Sequence, residues 1–106
     1  MNKNIFYGKW RIIEMELWDQ DFVDAEVPGY ISFSENGAGE FQFGYVHGFL
    51  DCHYSDEKQK VEFSWEGNDE MDPASGRGFA VLKNGILLGH LFFHKGDASG
   101  FKATRE

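Results

Sequence analysis

Four carboxylates lie close together in one early segment of this chain, and they are the side chains best suited to bind a cation. They are Asp19, Asp21, Asp24 and Glu26. Carboxylate oxygens at short spacing are the ligands that a hard cation such as Ca²⁺ prefers. The spacing differs from that of an EF-hand loop, in which acidic or Asn residues alternate and a Gly follows. We therefore interpret the segment as a solvated acidic loop and predict no metal site.

A second group of side chains has the residue types of a hydrolytic triad. Ser99, His94 and Asp97 lie within six residues of one another. A triad is defined by geometry and roles, and residues this close around one turn more simply bond the local backbone. The acidic segment 66–70 contains carboxylates of the kind that glycosidases use in pairs. The chain is short for a long sugar cleft, so we predict no catalytic residue and no cofactor.

The four histidines and the single cysteine do not have the spacing of a metal or nucleophile site. His90 and His94 fall on one predicted strand, about 13 Å apart along it, which is too far for both to bind one zinc ion. Cys52 lies within another strand pattern. No neighbouring feature would lower its pKa, so we expect a small buried residue rather than a nucleophile.

Short strands must position these side chains, because apolar and polar residues alternate in runs separated by Gly, Asn and Asp. In one run, Val61, Phe63 and Trp65 share a face. The predicted strands cover residues 8–16, 30–34, 40–46, 49–54, 60–66, 77–83, 86–94 and 101–104. Asn36-Gly37 and Asn84-Gly85 predict tight hairpins, since both residues tolerate a positive φ.

Eight strands joined in sequence form a meander, and closing the meander removes both exposed edges. We therefore predict an all-β fold in one domain, 1–106: a small eight-stranded antiparallel up-and-down barrel. A two-sheet sandwich is the alternative. An eight-stranded barrel holds side chains or one small ligand, and the many Phe residues favour a filled interior. The aromatic residues expected inside are Trp10, Phe33, Phe41, Phe43, Tyr45, Phe63, Trp65, Phe79 and Phe101.

Two resemblances to known proteins support this fold. Gly8-Lys9-Trp10 at the start of the first strand resembles the Gly-x-Trp that opens lipocalins and other calycins, barrels that bind small apolar ligands. Residues 41–103 resemble short uncharacterised bacterial β-barrel proteins. That likeness is carried by Phe63-Ser64-Trp65-Glu66-Gly67 with Asp69-Glu70, by Gly76-Arg77-Gly78, and by the pattern His-x-Gly-Asp-x-Ser-x-Phe-x-Ala from His94 to Ala103. The first resemblance implies a calycin-like barrel, and the second implies no activity.

Composition narrows the classes of partner. The net charge of −8 argues against nucleic acid and against anionic membrane surfaces, both of which need basic proteins. No run approaches the roughly 20 apolar residues of a membrane helix, and residues 1–10 contain no apolar core of signal-peptide length. A single cysteine fits a reducing compartment. We expect a cytoplasmic protein with no nucleic-acid or membrane partner.

Alternate connections of a meander lie at the same end of the barrel. The connections at one end are 17–27, 47–48, 67–76 and 95–100, and those at the other end are 35–39, 55–59 and 84–85. The first end therefore holds the long connections and nine of the eighteen carboxylates. Loops held by a rigid scaffold are the usual place for function. We predict an acidic, aromatic-edged mouth there, with Arg77 as a salt-bridge partner that steadies the 67–76 loop.

The leading hypothesis is a non-enzymatic binding module whose acidic mouth takes a small or cationic ligand, or a basic stretch of a protein partner. The candidate ligand-binding residues are Trp18, Asp19, Asp21, His47, Trp65, Glu66, Asp69, Glu70, Arg77, His94, Asp97 and Ser99. The alternative is a protein–protein or self-association module, including a homodimer, that uses outer apolar faces. Those faces are Ile13 with Met15, and Leu87 with Leu91 and Phe93. A small hydrolase that uses the rim carboxylates and His94 is a third hypothesis.

Overall fold

The alternating runs form strands because each strand can bury its apolar face against the others in a shared interior. The computed structural model describes residues 3–55 and 59–106. A 3₁₀ turn covers Lys3–Ile5, and one short helix, α1, covers Gln20–Val23. The strands are β1 Gly8–Met15, β2 Tyr30–Phe33, β3 Ala38–Phe43, β4 Val46–Ser55, β5 Lys60–Asp69, β6 Asp72–Lys83, β7 Ile86–Phe93 and β8 Ala98–Arg105.

Each strand pairs antiparallel with the next one in the chain, and β8 returns to pair with β1. The predicted all-β, eight-stranded up-and-down barrel is therefore confirmed. The closing seam aligns Trp10 with Arg105 and Met15 with Phe101. Closure satisfies the backbone of the first and last strands, which would otherwise be exposed edges.

The barrel interior is filled by aromatic rings that lie over inward-facing glycines. A Cβ at Gly48 would lie 2.5 Å from the Phe41 ring, and one at Gly89 would lie 2.3 Å from the Phe101 ring. The Phe41 ring also meets Trp65 edge-on, with the ring centroids 5.0 Å apart. Large rings therefore fit into an eight-stranded barrel because the paired residue on the adjacent strand has no side chain at these points.

Seven of the nine aromatic residues predicted inside are buried there, and the prediction was wrong for the other two. Tyr45 lies in the turn between β3 and β4 and is 43% exposed. Phe79 lies on the outer face of β6, where Lys60 sits over its ring at 4.5 Å. The neighbouring buried Ala80 faces the interior, so strand alternation places Phe79 outside.

The outer apolar face predicted from Leu87, Leu91 and Phe93 is in fact an inner face. Leu87 and Leu91 are fully buried, and Phe93 packs against the core. The sequence of β7 is apolar on both faces, since Ile86 and Leu88 alternate with the buried residues. Period-two alternation alone could not say which face turned inward.

Met15 was also predicted on an outer face and is buried. The register between β1 and β8 shifts between Ile12 and Glu14, which marks a β-bulge at Ile13. The additional residue leaves Ile13 exposed and returns Met15 to the interior. A bulge inserts one residue without a cross-strand partner and so reverses the expected alternation beyond it.

The predicted irregular stretch 67–76 is a hairpin. β5 and β6 remain paired as far as Asp69 and Asp72, and only Glu70-Met71 lie between them. Glycines in this stretch resemble loop signals, but the ladder continues because it uses backbone groups alone. A Cβ at Gly67 would lie 1.8 Å from the His47 carbonyl oxygen, so a neighbouring strand approaches closely here.

Of two other predicted connections, one lies at a different position and one lies mainly outside the described residues. The predicted turn at 47–48 lies at Gly44-Tyr45, and β4 begins at Val46. The predicted connection 55–59 falls mainly on residues 56–58, which are outside the described residues. The grouping at one end holds, because the connections contact one another there. The Gly44 N–H donates to the Val23 carbonyl at 2.9 Å, and the Glu70 N–H donates to the Tyr45 carbonyl at 2.9 Å.

Candidate functional site

An aromatic plug closes the acidic end of the barrel. Trp18 lies in the first connection, residues 16–29, and its ring packs on Phe43, with ring centroids 5.0 Å apart, and on Phe93 at 6.1 Å. Phe22 of α1 stacks on the other side of Trp18 at 6.2 Å. Trp65 lies below, buried, and meets Phe93 edge-on. Trp18 and Trp65 therefore seal the predicted mouth instead of lining an entrance.

Two of the four acids in the first connection have structural roles. Asp19 is the N-cap of α1, where its Oδ1 accepts from the Phe22 N–H at 2.9 Å. Asp24 accepts from both Nη atoms of Arg11, at 2.6 and 2.9 Å, and from the Gly29 N–H at 2.8 Å. The hydrogen bonds from Arg11 outweigh desolvation and hold the pKa of Asp24 well below its usual range.

We expect neutralisation of Asp24 to destabilise the fold in a pH-dependent way. A lowered folded-state pKa contributes stability above the unfolded pKa of about 4, and this contribution is lost as the pH falls through the folded pKa. Asp24→Asn should cost about 1–3 kcal/mol at neutral pH, as for hydrogen bonds to charged groups. The difference from the parent should shrink below about pH 4.

Urea unfolding over a pH series measures this effect. Asp21→Asn is the matched control, because Asp21 is exposed on the same short helix and its side chain makes no hydrogen bond or ion pair within residues 3–55 and 59–106. A constant difference between Asp24→Asn and the parent at every pH would contradict the assignment.

The remaining acids form an exposed group at this end, which we call the acidic rim. Its members are Asp21, Glu26, Asp69, Glu70, Asp72 and Asp97. Tyr45 links its two main segments, since the Phe22 ring lies 6.0 Å from the Tyr45 ring and the Tyr45 carbonyl accepts from the Glu70 N–H. Sequence reasoning missed Met71, which is 95% exposed at the tip of the β5–β6 hairpin. An apolar residue between acids at a hairpin turn is the signal that could have found it.

Ser99 belongs to the core. It is 1% exposed, and its Oγ accepts from the Leu17 N–H at 3.2 Å and donates to the Gly100 carbonyl at 3.0 Å. The expected backbone bonding of this serine is confirmed. Ser99 therefore anchors the first connection onto β8. His94 lies exposed just beyond β7, and its backbone N–H donates to the Ser75 carbonyl at 2.7 Å.

Cys52 is buried in β4, as expected. Burial raises the pKa of its thiol to about 12, so the nucleophilic thiolate is negligible at neutral pH. His47 lies on the outer face and not at a mouth. Its Nε2 lies 2.8 Å from Glu40 Oε2, and its ring packs on Phe49. Within the described part of the chain, no three His, Cys, Asp or Glu side chains come together to hold a metal ion.

Two further candidates, Glu66 and Arg77, line adjoining grooves on the outer face of the barrel. Glu66 borders one of about 600 Å³, together with Phe49 and His94. Arg77 borders another of about 580 Å³. The prediction that Arg77 forms a salt bridge was wrong for residues 3–55 and 59–106. Its guanidinium instead lies over the Phe92 ring at 4.3 Å, because Ser64 and Phe92 are its direct cross-strand neighbours.

No protein-family model, curated protein or solved structure matches this chain. Among the described residues, no helix has both the length and the apolar character to cross a membrane. The acidic rim and the outer grooves are therefore the two surfaces of the molecule that could bind a ligand.

Proposed function

We propose that this protein is a non-enzymatic binding module whose acidic rim holds a basic segment of a partner protein. The observation that carries the proposal is the tip of the β5–β6 hairpin, where Met71 is 95% exposed beside Glu70 and Asp72. Tyr45, which is 43% exposed, lies beside this hairpin, since its carbonyl accepts from the Glu70 N–H. Exposed apolar side chains that are rimmed by polar residues mark contact surfaces. Methionine adapts its shape to different partners.

The filled interior favours an external ligand. Trp18 and Trp65 close the acidic end, and aromatic rings occupy the space between the strands. A small ligand in the barrel would have to displace these rings, at the cost of well-packed core contacts. The interior therefore stabilises the rim and takes no part in binding.

The distribution of charge favours an extended ligand over a single cation. The rim carboxylates come from three different connections, 16–29, 70–71 and 94–97, and from the adjoining ends of β5 and β6. A basic segment can meet several of them at once, with Lys or Arg opposite the carboxylates and an apolar residue against Met71. The net charge of −8 would also attract such a segment over a distance, most strongly at low salt.

We propose further that the barrel is calycin-like and that the protein is cytoplasmic. A calycin-like barrel is supported by Gly8-x-Trp10 at the start of β1 and by the closed meander. A cytoplasmic location is supported by the single cysteine, which is buried and free. The proposal assigns no catalytic residue and no cofactor.

Binding of a short, dye-labelled peptide rich in Arg and Leu, followed by fluorescence anisotropy, tests the proposal. The variant Asp69→Asn/Glu70→Gln/Asp72→Asn should weaken binding about tenfold, or about 1.4 kcal/mol, because each lost surface pair contributes about 0.2–1 kcal/mol. Met71→Ser should weaken it further.

The matched control is Glu35→Gln/Asp51→Asn/Glu62→Gln, which removes the same charge from exposed positions outside the rim. Equal weakening by the two triple variants would show a general charge effect and overturn the proposal. Absence of peptide binding to the parent protein would overturn it as well.

A further inference from the structure

A second surface is separate from the acidic rim and has the opposite character. It is the groove of about 580 Å³ on the outer face of β5, β6 and β7. Its lining residues are Ser64, Ser75, Gly76, Arg77, Phe92, Phe93, His94 and Lys95. The lining has two cations, an imidazole and two hydroxyls but no carboxylate, although the chain has 18 acidic residues against 10 Lys and Arg. We call it the cationic groove.

Arg77 is held in place while its hydrogen-bond donors stay available. Its guanidinium lies over the Phe92 ring at 4.3 Å. Phe92 is itself fixed by the His90 ring at 4.9 Å. Within the described ranges, the Arg77 side chain has no carboxylate partner and donates no hydrogen bond. A guanidinium held over an aromatic ring keeps its N–H donors, and two of them match two oxygens of an oxyanion.

The other donors lie around Arg77 by strand register. Ser64 is directly opposite Arg77 on β5, and Ser75 is two residues along the same face of β6. The backbone N–H of His94 donates to the Ser75 carbonyl at 2.7 Å, and this bond fixes the start of the β7–β8 turn beside that serine. Lys95 follows in the turn. Two hydroxyls, an imidazole and an ammonium therefore border the space next to the guanidinium.

We propose that the cationic groove binds a phosphate monoester. Three phosphate oxygens can each take a donor, two from the Arg77 fork and one from a serine hydroxyl or Lys95, whereas a carboxylate would use only two. The binding site extends beyond the proposed function, because it shares no residue with the acidic rim. A phosphorylated side chain and a small phosphate ester offer the same chemistry, and the experiment separates them.

Glu66 provides a test in which a substitution should strengthen phosphate binding instead of weakening it. It lies opposite Ser75 on β5 and borders the adjoining groove together with His94. Its carboxylate is one of three on this outer face around Ser64, the others being Asp51 and Glu62, and it repels a bound phosphate. Glu66→Gln should therefore strengthen phosphate-ester binding, while loss of Arg77 weakens it.

Titration of the isotope-labelled protein with phenyl phosphate and with a phosphoserine peptide, followed by NMR at about 0.15 M salt, tests the site. Both series should shift the amide resonances of residues 64, 75–77 and 92–95. Arg77→Ala should weaken binding about tenfold or more. Arg77→Lys should recover part of it, and Glu66→Gln should tighten it about two- to fivefold.

Lys83→Ala is the matched control, since it removes one positive charge from an exposed position at the other end of β6. Equal weakening by Arg77→Ala and Lys83→Ala would overturn the site, as would shifts confined to other residues. Tighter binding of the phosphopeptide identifies a phosphorylated side chain as the source, and tighter binding of phenyl phosphate identifies a small ester. The triple rim variant of the preceding section should keep its phosphate binding, so the two proposals fail independently.

Discussion

Trp10→Ala is expected to lower the free energy of unfolding by about 3–5 kcal/mol. The indole is 1% exposed, and its Nε1–H donates to the Phe6 carbonyl at 2.9 Å. The Arg105 guanidinium lies over the ring at 4.0 Å, and it donates to the Ile5 carbonyl at 2.6 Å and to the Tyr7 carbonyl. One side chain therefore joins the interior, the N-terminal turn and the last strand.

Chemical denaturation followed by circular dichroism measures this loss. Trp10→Phe keeps a buried ring but removes the indole N–H, so it should cost about 1–3 kcal/mol, the penalty of an unpaired buried carbonyl. This milder variant keeps the result measurable if Trp10→Ala does not fold. Arg105→Lys should also destabilise, because an ammonium cannot stack and bond two carbonyls at once. A loss below about 1 kcal/mol for Trp10→Ala would contradict a stabilising role for Trp10 at the β1–β8 seam.

Gly76→Ala is expected to cost about 3 kcal/mol or more, at the upper limit of overpacking effects. A Cβ at this position would lie 1.7 Å from the Phe92 carbonyl oxygen and 2.9 Å from Trp65 Nε1. Both neighbours are constrained, since one is strand backbone and the other is a buried indole. A methyl group therefore forces β6 away from β7 at the base of the β5–β6 hairpin.

Gly100→Ala is the matched control for this substitution. A Cβ there would meet its nearest neighbours, on Glu16 and His90, at 3.7 Å, an ordinary contact distance. Its cost should stay within about 0.5 kcal/mol. Thermal or urea unfolding of the two variants side by side gives the comparison. Equal stability of Gly76→Ala and Gly100→Ala would show that the strands separate freely at this point.

The sequence predicted the fold well because strand alternation and turn chemistry are local. Asn84-Gly85 forms the β6–β7 turn, and both residues have the positive φ that such turns require. The prediction of which strand face is buried was wrong where the local pattern does not distinguish the two faces. Leu87 and Leu88 are equally apolar, and only pairing with the neighbouring strands decides which one is buried. The bulge at Ile13 has no sequence signal of its own.

The candidate site was predicted in part. The features that were not predicted depend on contacts between residues that are far apart in the sequence. The acidic connections do meet at one end, as strand order required. That Asp24 is paired with Arg11 could not be foreseen, because Arg11 lies on β1 and reaches the connection only after the chain folds back. Arg105 was missed for the same reason, since nothing near it in sequence points to Trp10. Glycines at 67 and 76 looked like loop residues because close strand approach leaves no trace in a hydrophobic pattern.

The pairing of the first strand with the last also sets the order of events during synthesis. Because Trp10 aligns with Arg105, a ribosome must release the chain through β8 before the ring of strands can join. Until then β1 and β7 each present an unsatisfied edge, the kind of surface that attracts other chains. Long-range closure of this type is slow compared with local hairpin formation. A nascent chain that stops short of β8 is therefore open on both sides and exposes two edges to other chains.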